Sequence, residues 1–414
     1  MPKSEKILKF PKGFLWGAST SAYQIEGGIK NDWSEWERNK LRIKNLELKG
    51  LNPDDFICGQ ACDSYHRYEE DLNLCLELNC NAYRMGIEWA RIEPKEGQWD
   101  MKEIEHYRKV LQAAKKRKLK IFLTLWHWTN PVWVRDLGGW ENKKVVSYYL
   151  RYVEKIVGEL GRDVDFWLTM NEPETYIGLS YAAGVFPPQV KSLRRADKVF
   201  KNLMKAHRQA YQLIHKKIGK KAQVSLSHYL IFQTPYENSF FNKLAVKILD
   251  YVRWQRFFKA SKGYNDFIGF QYYHHDRIRL GLGGKFKIGR VDNENKKIND
   301  LGWEIYPEGI YYLLKRMKKY KKPIYITENG TADKDDDHRA NFVKENLNYI
   351  HEAIREGVNV RGYFHWSLMD NFEWADGWAP KFGLYEVDRG TFKRTARPSA
   401  KTYAEICKKN SVES

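Results

Sequence analysis

Residues 166–173 have the sequence Phe-Trp-Leu-Thr-Met-Asn-Glu-Pro, and the pattern in this stretch decides the fold. Its first five residues are almost continuously apolar, whereas a strand with one face in water would alternate apolar and polar side chains. A short run of this kind is typical of a strand buried on both faces of a parallel sheet. Two polar residues, Asn171 and Glu172, follow where this strand should end.

Seven further segments are candidate strands, most of them nearly continuous apolar runs, and amphipathic helical stripes lie between them. The residues Ile104, Tyr107, Leu111 and Ala114, for example, are spaced to form one buried helix face. The eight predicted strands are Phe14–Ser21, Asn81–Trp89, Lys120–Trp128, Phe166–Pro173, Gln223–Leu230, Asp266–Tyr273, Pro323–Gly330 and Val360–Leu368. Eight strands alternating with helices predict an α/β fold, a single (β/α)8 TIM barrel that occupies residues 1–414. A doubly wound open sheet is disfavoured by the strand count and by the lack of a glycine-rich nucleotide loop after the first strand.

The composition is that of a globular protein with a basic surface. Of the 414 residues, 43% are hydrophobic and 30% are charged, and the formal net charge is +19. A basic excess raises the possibility of a polyanion partner. The lysines and arginines are spread over helix faces, as in Lys115–Lys120, and are not pooled in one arm. This distribution favours a solvated basic surface, so we expect no nucleic-acid partner.

The cysteines and the N-terminal segment indicate the cellular compartment of the protein and whether a metal site is expected. The five cysteines have neither C-x-x-C nor zinc-ligand spacing, so we expect free buried thiols in a reducing compartment and no metal site. The first ten residues are charged and lack the apolar core of a signal peptide, and no apolar run approaches membrane-spanning length. We therefore expect a cytoplasmic protein without a membrane partner, whose oligomeric state the sequence leaves open.

Polar and aromatic side chains cluster where five of the predicted strands end. Active sites of TIM barrels lie at the carboxyl ends of the strands, so these groups predict an active site. The five groups are Trp126-His127-Trp128, Asn171-Glu172, Tyr272-Tyr273, Glu328-Asn329 and His365-Trp366.

Two of these residues, Glu172 and Glu328, each close a strongly apolar strand. Glycoside hydrolysis uses two carboxyl groups, one protonated to release the leaving oxygen and one ionised. Arg84 and Tyr273 are candidates to keep the ionised carboxylate charged, and Asn171 is placed to donate a hydrogen bond to a sugar hydroxyl. Each residue alone is more simply explained as an ion-pair or core residue. Their coincidence with the barrel pattern favours a catalytic interpretation.

Several motifs occur in order along nearly the whole chain, from about Phe10 to Thr402. They are FPKGFLWGASTSAYQIEGG (residues 10–28), WHWTNP (126–131), GGWEN (138–142), TMNEPE (169–174), ITENG (326–330), HWSLMDNFEWADGW (365–378) and KFGLYEVD (381–388). As an ordered set they resemble glycoside hydrolase family 1.

The resemblance implies a retaining β-glycosidase that needs no cofactor and acts on small β-glycosides or oligosaccharides. Glu172 would be the acid/base, and Glu328 would be the nucleophile that forms a covalent glycosyl-enzyme. The substrates would be terminal non-reducing β-D-glucosides, together with β-D-galactosides or fucosides, and the sequence leaves the preference among these sugars open. The substrate-binding residues implied or expected at this site are Gln24, His127, Trp128, Asn171, Trp366, Glu373 and Trp374.

The chain departs from the family pattern at two positions: Gln271 stands where Asn is usual, and Thr129 where Asp is frequent. Two rival functions remain. In a 6-phospho-β-glycosidase a smaller residue would replace Glu373 and a Lys-x-Tyr would follow, but Pro380 and Phe382 occupy those positions. A non-catalytic sugar-binding or nucleic-acid-binding barrel would be favoured by loss of a catalytic glutamate, and both are present.

Overall fold

The computed structural model describes residues 7–283, 285–291 and 297–413. Eight parallel strands form a closed barrel, in which the last pairs with the first through Gly362–Trp366 and Leu15–Ser19. This pairing confirms the TIM barrel and makes the open-sheet alternative wrong. The barrel strands are β1 (Leu15–Ser19), β2 (Ala82–Gly86), β3 (Lys120–Thr124), β4 (Phe166–Asn171), β5 (Gln223–Tyr229), β6 (Ile268–Tyr272), β7 (Ile324–Asn329) and β8 (Val360–Trp366).

One principal helix follows each strand, as the sequence predicts. These helices are α1 (Ser64–Glu77), α2 (Met101–Lys116), α3 (Lys144–Leu160), α4 (Leu193–Ile218), α5 (Phe240–Asp250), α6 (Glu308–Met317), α7 (Arg339–Arg355) and α8 (Pro398–Lys409). Shorter helices span Ala22–Glu26, Asp32–Glu37, Lys40–Glu47, Trp89–Ile92, Val132–Asp136, Pro173–Tyr176 and Arg256–Ala260. The stripe predicted on α2 is buried throughout, because it is the face that packs on the barrel.

Aromatic side chains fill the amino-terminal half of the barrel. The Phe122 ring on β3 lies parallel to that of Phe166 at 4.0 Å between centroids and contacts Phe364 on β8 at 4.7 Å. Phe122 also contacts Tyr325 on β7, on the far side of the barrel. Packed side chains therefore fill this half of the barrel interior. The carboxyl end of the barrel is the expected location of an active site.

Short strands outside the barrel are missing from the sequence prediction. Ile7–Lys9 pairs with Ser411–Glu413, and Tyr385–Val387 pairs with Arg394–Ala396. A further sheet contains Phe232–Pro235, His275–Gly283 and Lys285–Val291. Because two of its strands follow directly after β5 and β6, this three-stranded sheet stands at the mouth of the barrel.

All five cysteines are free and buried, which confirms the prediction of unpaired thiols. Burial raises the pKa of Cys58 and Cys75 well above the ordinary thiol value. These thiols are therefore protonated and pack as small apolar groups.

Candidate active site

The predicted polar residues converge at the carboxyl end of the barrel. Glu328 lies near the end of β7, Arg84 lies within β2, and Tyr273 directly follows β6. Asn171 ends β4, and Glu172 is the next residue. All five side chains are buried.

Two donors hold the Glu328 carboxylate, one at each oxygen. Arg84 Nη1 donates to Oε1, and the Tyr273 hydroxyl donates to Oε2, both at short range. Burial raises the pKa of Glu328, while the charge of Arg84 and these two hydrogen bonds oppose the rise. The contacts are those expected of a carboxylate kept ionised in a desolvated site.

The Arg84 guanidinium also reaches across the barrel to β4, the strand that Glu172 follows. Its Nη2 donates to Asn171 Oδ1 at 2.6 Å, and its Nη1 donates in addition to the Thr327 carbonyl at 3.3 Å. A guanidinium is planar and rigid, so one side chain couples the position of β4 to that of β7. Arg84 thereby contacts both Glu328 and Asn171, the residue that precedes Glu172.

Glu172 has a different environment. It is buried, and its backbone has a left-handed φ of 39°, a conformation that is costly for a residue with a side chain. Its pKa is raised well above the ordinary value, first by burial and then by the negative charges of Glu328 and Glu174. A hydrogen bond from Thr175 and the charge of Arg84 oppose this rise. Glu172 is therefore the better candidate to carry the proton of the pair.

Glu174 is a third carboxylate that the sequence analysis missed. Its Oε1 accepts from the Tyr229 amide at 3.1 Å and lies 3.1 Å from His228 Nδ1. It is buried, and its charge acts on Glu172. In the sequence, only its position two residues after Glu172 could have marked Glu174 as part of the site. Its hydrogen-bond partners lie on β5 and are distant in sequence.

Hydrogen bonding determines the tautomer of His127. The Asn171 Nδ2 donates to His127 Nε2 at 2.9 Å. Burial and then the charge of Arg84 lower the pKa of His127 well below its ordinary value, so the ring is neutral. Its single N–H is then on Nδ1, which is buried and has no hydrogen-bond partner among the described residues. This N–H is available to a ligand oxygen.

Gln24 and Glu373 form a second polar group at the mouth. Gln24 Nε2 donates to the Phe372 carbonyl at 2.8 Å and to Asn371 Oδ1 at 3.0 Å. A hydrogen bond also links Gln24 to Glu373, whose pKa is raised by burial and then by the charges of Asp376 and Glu328. The second oxygen of Glu373, Oε2, has no hydrogen-bond partner in the described part of the chain. The sequence analysis did not identify Asn371 as part of this group.

Tryptophans form the wall beside these polar residues. The Trp374 ring stacks on His127 at 5.8 Å and packs on Trp128 at 4.7 Å between ring centroids. Trp128 is buried, and its indole N–H donates to the Asn171 carbonyl at 3.1 Å. Trp366 packs in a separate cluster with Tyr273 and Phe382. Trp128 therefore contacts Asn171 and Trp374. Trp366 lies beside Tyr273, which donates to Glu328.

The two unusual residues noted in the sequence both have partners. Gln271 Nε2 donates to Asn171 Oδ1 at 2.9 Å and to Ser227 Oγ at 3.1 Å, so it helps to orient Asn171. Thr129 donates to Glu88 Oε2 at 2.9 Å, and burial raises the pKa of Glu88 to about 7. Gln271 therefore acts on the site through Asn171, and Thr129 supports the neighbouring loop.

The chain matches a known family model and is similar to several characterised proteins and solved structures. The family model described as Glycosyl hydrolase family 1 matches residues 7–262 and 255–412. Beta-glucosidase A of Acetivibrio thermocellus is 32% identical, over 97% of this chain and 99% of its own length. A 6-phospho-beta-galactosidase of Leptotrichia buccalis is 31% identical, over 98% and 99% respectively. The solved structure of the beta-glycosidase from Pyrococcus horikoshii is similar with a TM-score of 0.89 and 34% identity, covering 99% of this chain and 97% of that one.

Proposed function

Because the chain belongs to glycosyl hydrolase family 1, we propose that it cleaves terminal β-D-glucosides by a retaining double displacement on Glu328 and Glu172. The chain is a glycoside hydrolase of the β-glucosidase type. Beyond this class, we propose the stereochemical course, the role of each glutamate and the sugars that are accepted. The proposal includes β-D-galactosides and fucosides as further substrates.

In the proposed first step, the Glu172 carboxyl donates its proton to the glycosidic oxygen while the Glu328 carboxylate attacks the anomeric carbon. The bond to the leaving group breaks, and an ester bond to Glu328 forms. In the second step, the Glu172 carboxylate takes a proton from water. The water oxygen attacks the anomeric carbon and releases Glu328, so the starting protonation states return.

The observation that carries this assignment is the unequal support of the two carboxyls. Glu328 has a cation and a phenol on its two oxygens. Among the described residues Glu172 has no comparable cation contact, and two carboxylates raise its pKa in addition to burial. Two carboxyl groups whose surroundings separate their protonation in this way have the features of an acid and a nucleophile.

For substrate binding we propose direct contacts from the groups that have unused hydrogen-bonding capacity. The free Nδ1–H of His127 and the unpaired Oε2 of Glu373 would bind sugar hydroxyls, since neither atom has a partner within the described ranges. Gln24 and Asn171 would share this role, and Trp366 and Trp374 would provide apolar faces for the sugar ring. Trp128 would act through Asn171 and Trp374, given its contacts.

We also propose that residues 1–414 act as one cytoplasmic catalytic domain. The strand Ile7–Lys9 pairs with Ser411–Glu413, so the two ends of the described chain are held together on the barrel. Five free buried cysteines suit a reducing compartment.

A 6-phospho-β-glycosidase is the second candidate, because the Leptotrichia buccalis relative carries that name and the chain is strongly basic. Glu373 argues against it. A carboxylate at this position would repel a phosphate on the sugar, and Glu373 is already close enough to Glu328 for their charges to interact. We therefore propose unphosphorylated sugars as the substrates.

The test is kcat/KM for nitrophenyl β-D-glucoside, β-D-galactoside, β-D-fucoside and the 6-phosphates of the first two, with proton NMR of the product first released. We expect turnover of the unphosphorylated glycosides and initial release of the β-anomer. Glu328→Ala should be inactive, and Glu386→Ala, at an exposed site on Tyr385–Val387, should be unchanged. Higher kcat/KM for the 6-phosphates would favour the second candidate, and initial release of the α-anomer would exclude retention.

A further inference from the structure

Helix α5 exposes an apolar face to solvent. Phe240 is 73% exposed and Phe241 is 56% exposed, at the start of the helix. The face continues into the π-helical turn Tyr251–Gln255 that extends α5. It comprises Phe240, Phe241, Leu244, Ile248, Tyr251 and Val252. Contiguous exposed apolar side chains of this size mark an interaction surface.

The opposite side of α5 is anchored to the protein. Asn242 is buried and accepts from the Leu280 amide at 2.9 Å, on the strand His275–Gly283. Asp250 is buried and accepts from Arg316 Nη2 at 2.6 Å and from the Trp254 indole at 3.1 Å. The orientation of the helix is therefore determined by its buried contacts, and the apolar face is directed outward.

Lysines border this face. Lys243 and Lys247 are exposed and are one helical turn apart. At 100° per residue they lie beside Phe240, Leu244 and Tyr251 on the helix surface. A helix with an apolar face bordered by lysines has the chemistry of one that lies in the interface of an anionic bilayer.

We propose that the apolar face of α5 docks on an anionic lipid surface. The apolar side chains would enter the boundary between headgroups and acyl chains, and Lys243 and Lys247 would contact lipid phosphates and carboxylates. This is peripheral contact, since no helix in the described ranges is long and apolar enough to cross a bilayer. The inference does not depend on the proposed substrate or mechanism.

Charge favours a lipid surface over a second copy of this chain. Two copies would each bring a formal net charge of +19, and the lysines of both would border the same contact. Like charges oppose self-association, whereas an anionic surface attracts the same lysines.

The position of α5 is also suitable for docking, because α5 follows the strand Phe232–Pro235 at the barrel mouth and packs on His275–Gly283. Docking would therefore bring the rim of the barrel to the lipid.

Flotation of the full-length protein with vesicles tests the proposal. We expect binding to vesicles of phosphatidylcholine with added phosphatidylserine and weaker binding to phosphatidylcholine alone. Phe240→Ser/Leu244→Ser/Ile248→Ser should lower the partition coefficient by at least about tenfold, since these side chains supply the apolar contact. Leu41→Ser/Leu48→Ser/Leu193→Ser is the matched control, because these three leucines are also exposed and should leave binding unchanged.

A charge variant tests the second element of the surface. Lys243→Gln/Lys247→Gln should weaken binding to anionic vesicles about 30-fold if each lysine contributes the usual amount near such a surface. Lys220→Gln/Lys221→Gln, exposed between α4 and β5, removes the same charge and should have a much smaller effect. Hydrolysis of a nitrophenyl glycoside in solution should be unchanged in all four variants, which separates this inference from the proposed function.

Three outcomes would overturn the proposal. One is absence of binding to anionic vesicles. Another is equal loss in the α5 variants and their controls, which would mean that overall charge alone attracts the protein. The third is a concentration-dependent dimer in analytical ultracentrifugation that Phe240→Ser/Leu244→Ser/Ile248→Ser abolishes, since the face would then bind a second copy.

Discussion

Replacement of Arg84 by lysine should lower catalysis while retaining the positive charge in the site. Arg84 donates to Glu328 and Asn171 at the same time, through different nitrogens. A lysine ammonium is a point donor on a flexible chain and cannot reproduce this fork. We expect the ammonium group of the Arg84→Lys variant to pair with Glu328 and to lose the contact with Asn171, so that β4 and β7 are no longer coupled.

The contacts determine the expected magnitude. A hydrogen bond that involves a charged group contributes about 1.5–3 kcal/mol. Since about 1.4 kcal/mol corresponds to a tenfold change, loss of the Asn171 bond should lower kcat/KM about 10- to 150-fold. Arg84→Met should lower it further, because it leaves the Glu328 carboxylate buried without a cation.

The pH profile of kcat/KM distinguishes loss of charge from loss of geometry. In the proposed mechanism Glu328 must be ionised to react, and the charge of Arg84 opposes the rise in its pKa. Arg84→Met should therefore raise the pKa of Glu328 further and move the acid limb to higher pH. Arg84→Lys should move this limb much less, because the charge remains.

Arg394→Lys is the matched control. Arg394 is buried and pairs with Asp71 through Nε at 2.8 Å and Nη2 at 3.3 Å, outside the candidate site. This variant should lower the free energy of unfolding in urea and leave kcat/KM of the folded protein close to wild type. Near-normal kcat/KM in Arg84→Lys, or an equal loss in Arg394→Lys, would refute the proposed coupling of β4 and β7.

Three further predictions concern the carboxyl pair. Retention predicts a separation of about 5–5.5 Å between the Glu172 and Glu328 carboxyls, and a crystal structure with about 9 Å would indicate inversion. Glu172→Ala should still cleave dinitrophenyl glycosides, because these substrates need little protonation of the leaving group. Added azide should then give the β-glycosyl azide. An α-azide from this variant would interchange the acid/base and nucleophile roles of Glu172 and Glu328. Glu328→Gln removes a negative charge that raises the pKa of Glu172, so carbon-13 NMR should find a lower pKa for Glu172 in this variant. An unchanged pKa would refute the electrostatic coupling.

The barrel strands could be located from the sequence because most of them are local apolar runs, yet their ends could not. The predicted strands continue through Trp128 and Glu172, whereas β3 ends at Thr124 and β4 at Asn171. Both residues have a left-handed φ, 74° for Trp128 and 39° for Glu172. A backbone of this kind is held by surrounding contacts, which side-chain periodicity does not reveal.

The short outer strands were missed for a related reason. Ile7–Lys9 and Ser411–Glu413 are three residues each, too short for a period-two pattern to be recognised. They pair across almost the whole length of the chain. Such pairing depends on where barrel closure places the termini.

The sequence by itself determined the order of strands and helices, and it predicted the end of the barrel where chemistry should occur and the two glutamates that lie there. The tertiary structure alone decided how these glutamates differ. Arg84 and Glu328 are 244 positions apart in sequence, and closure of the barrel brings them into contact. Glu172, in turn, is buried beside Glu174 and within reach of the charge of Glu328. A carboxyl pKa depends on burial and on neighbouring charges, and both are set by the packing of distant segments.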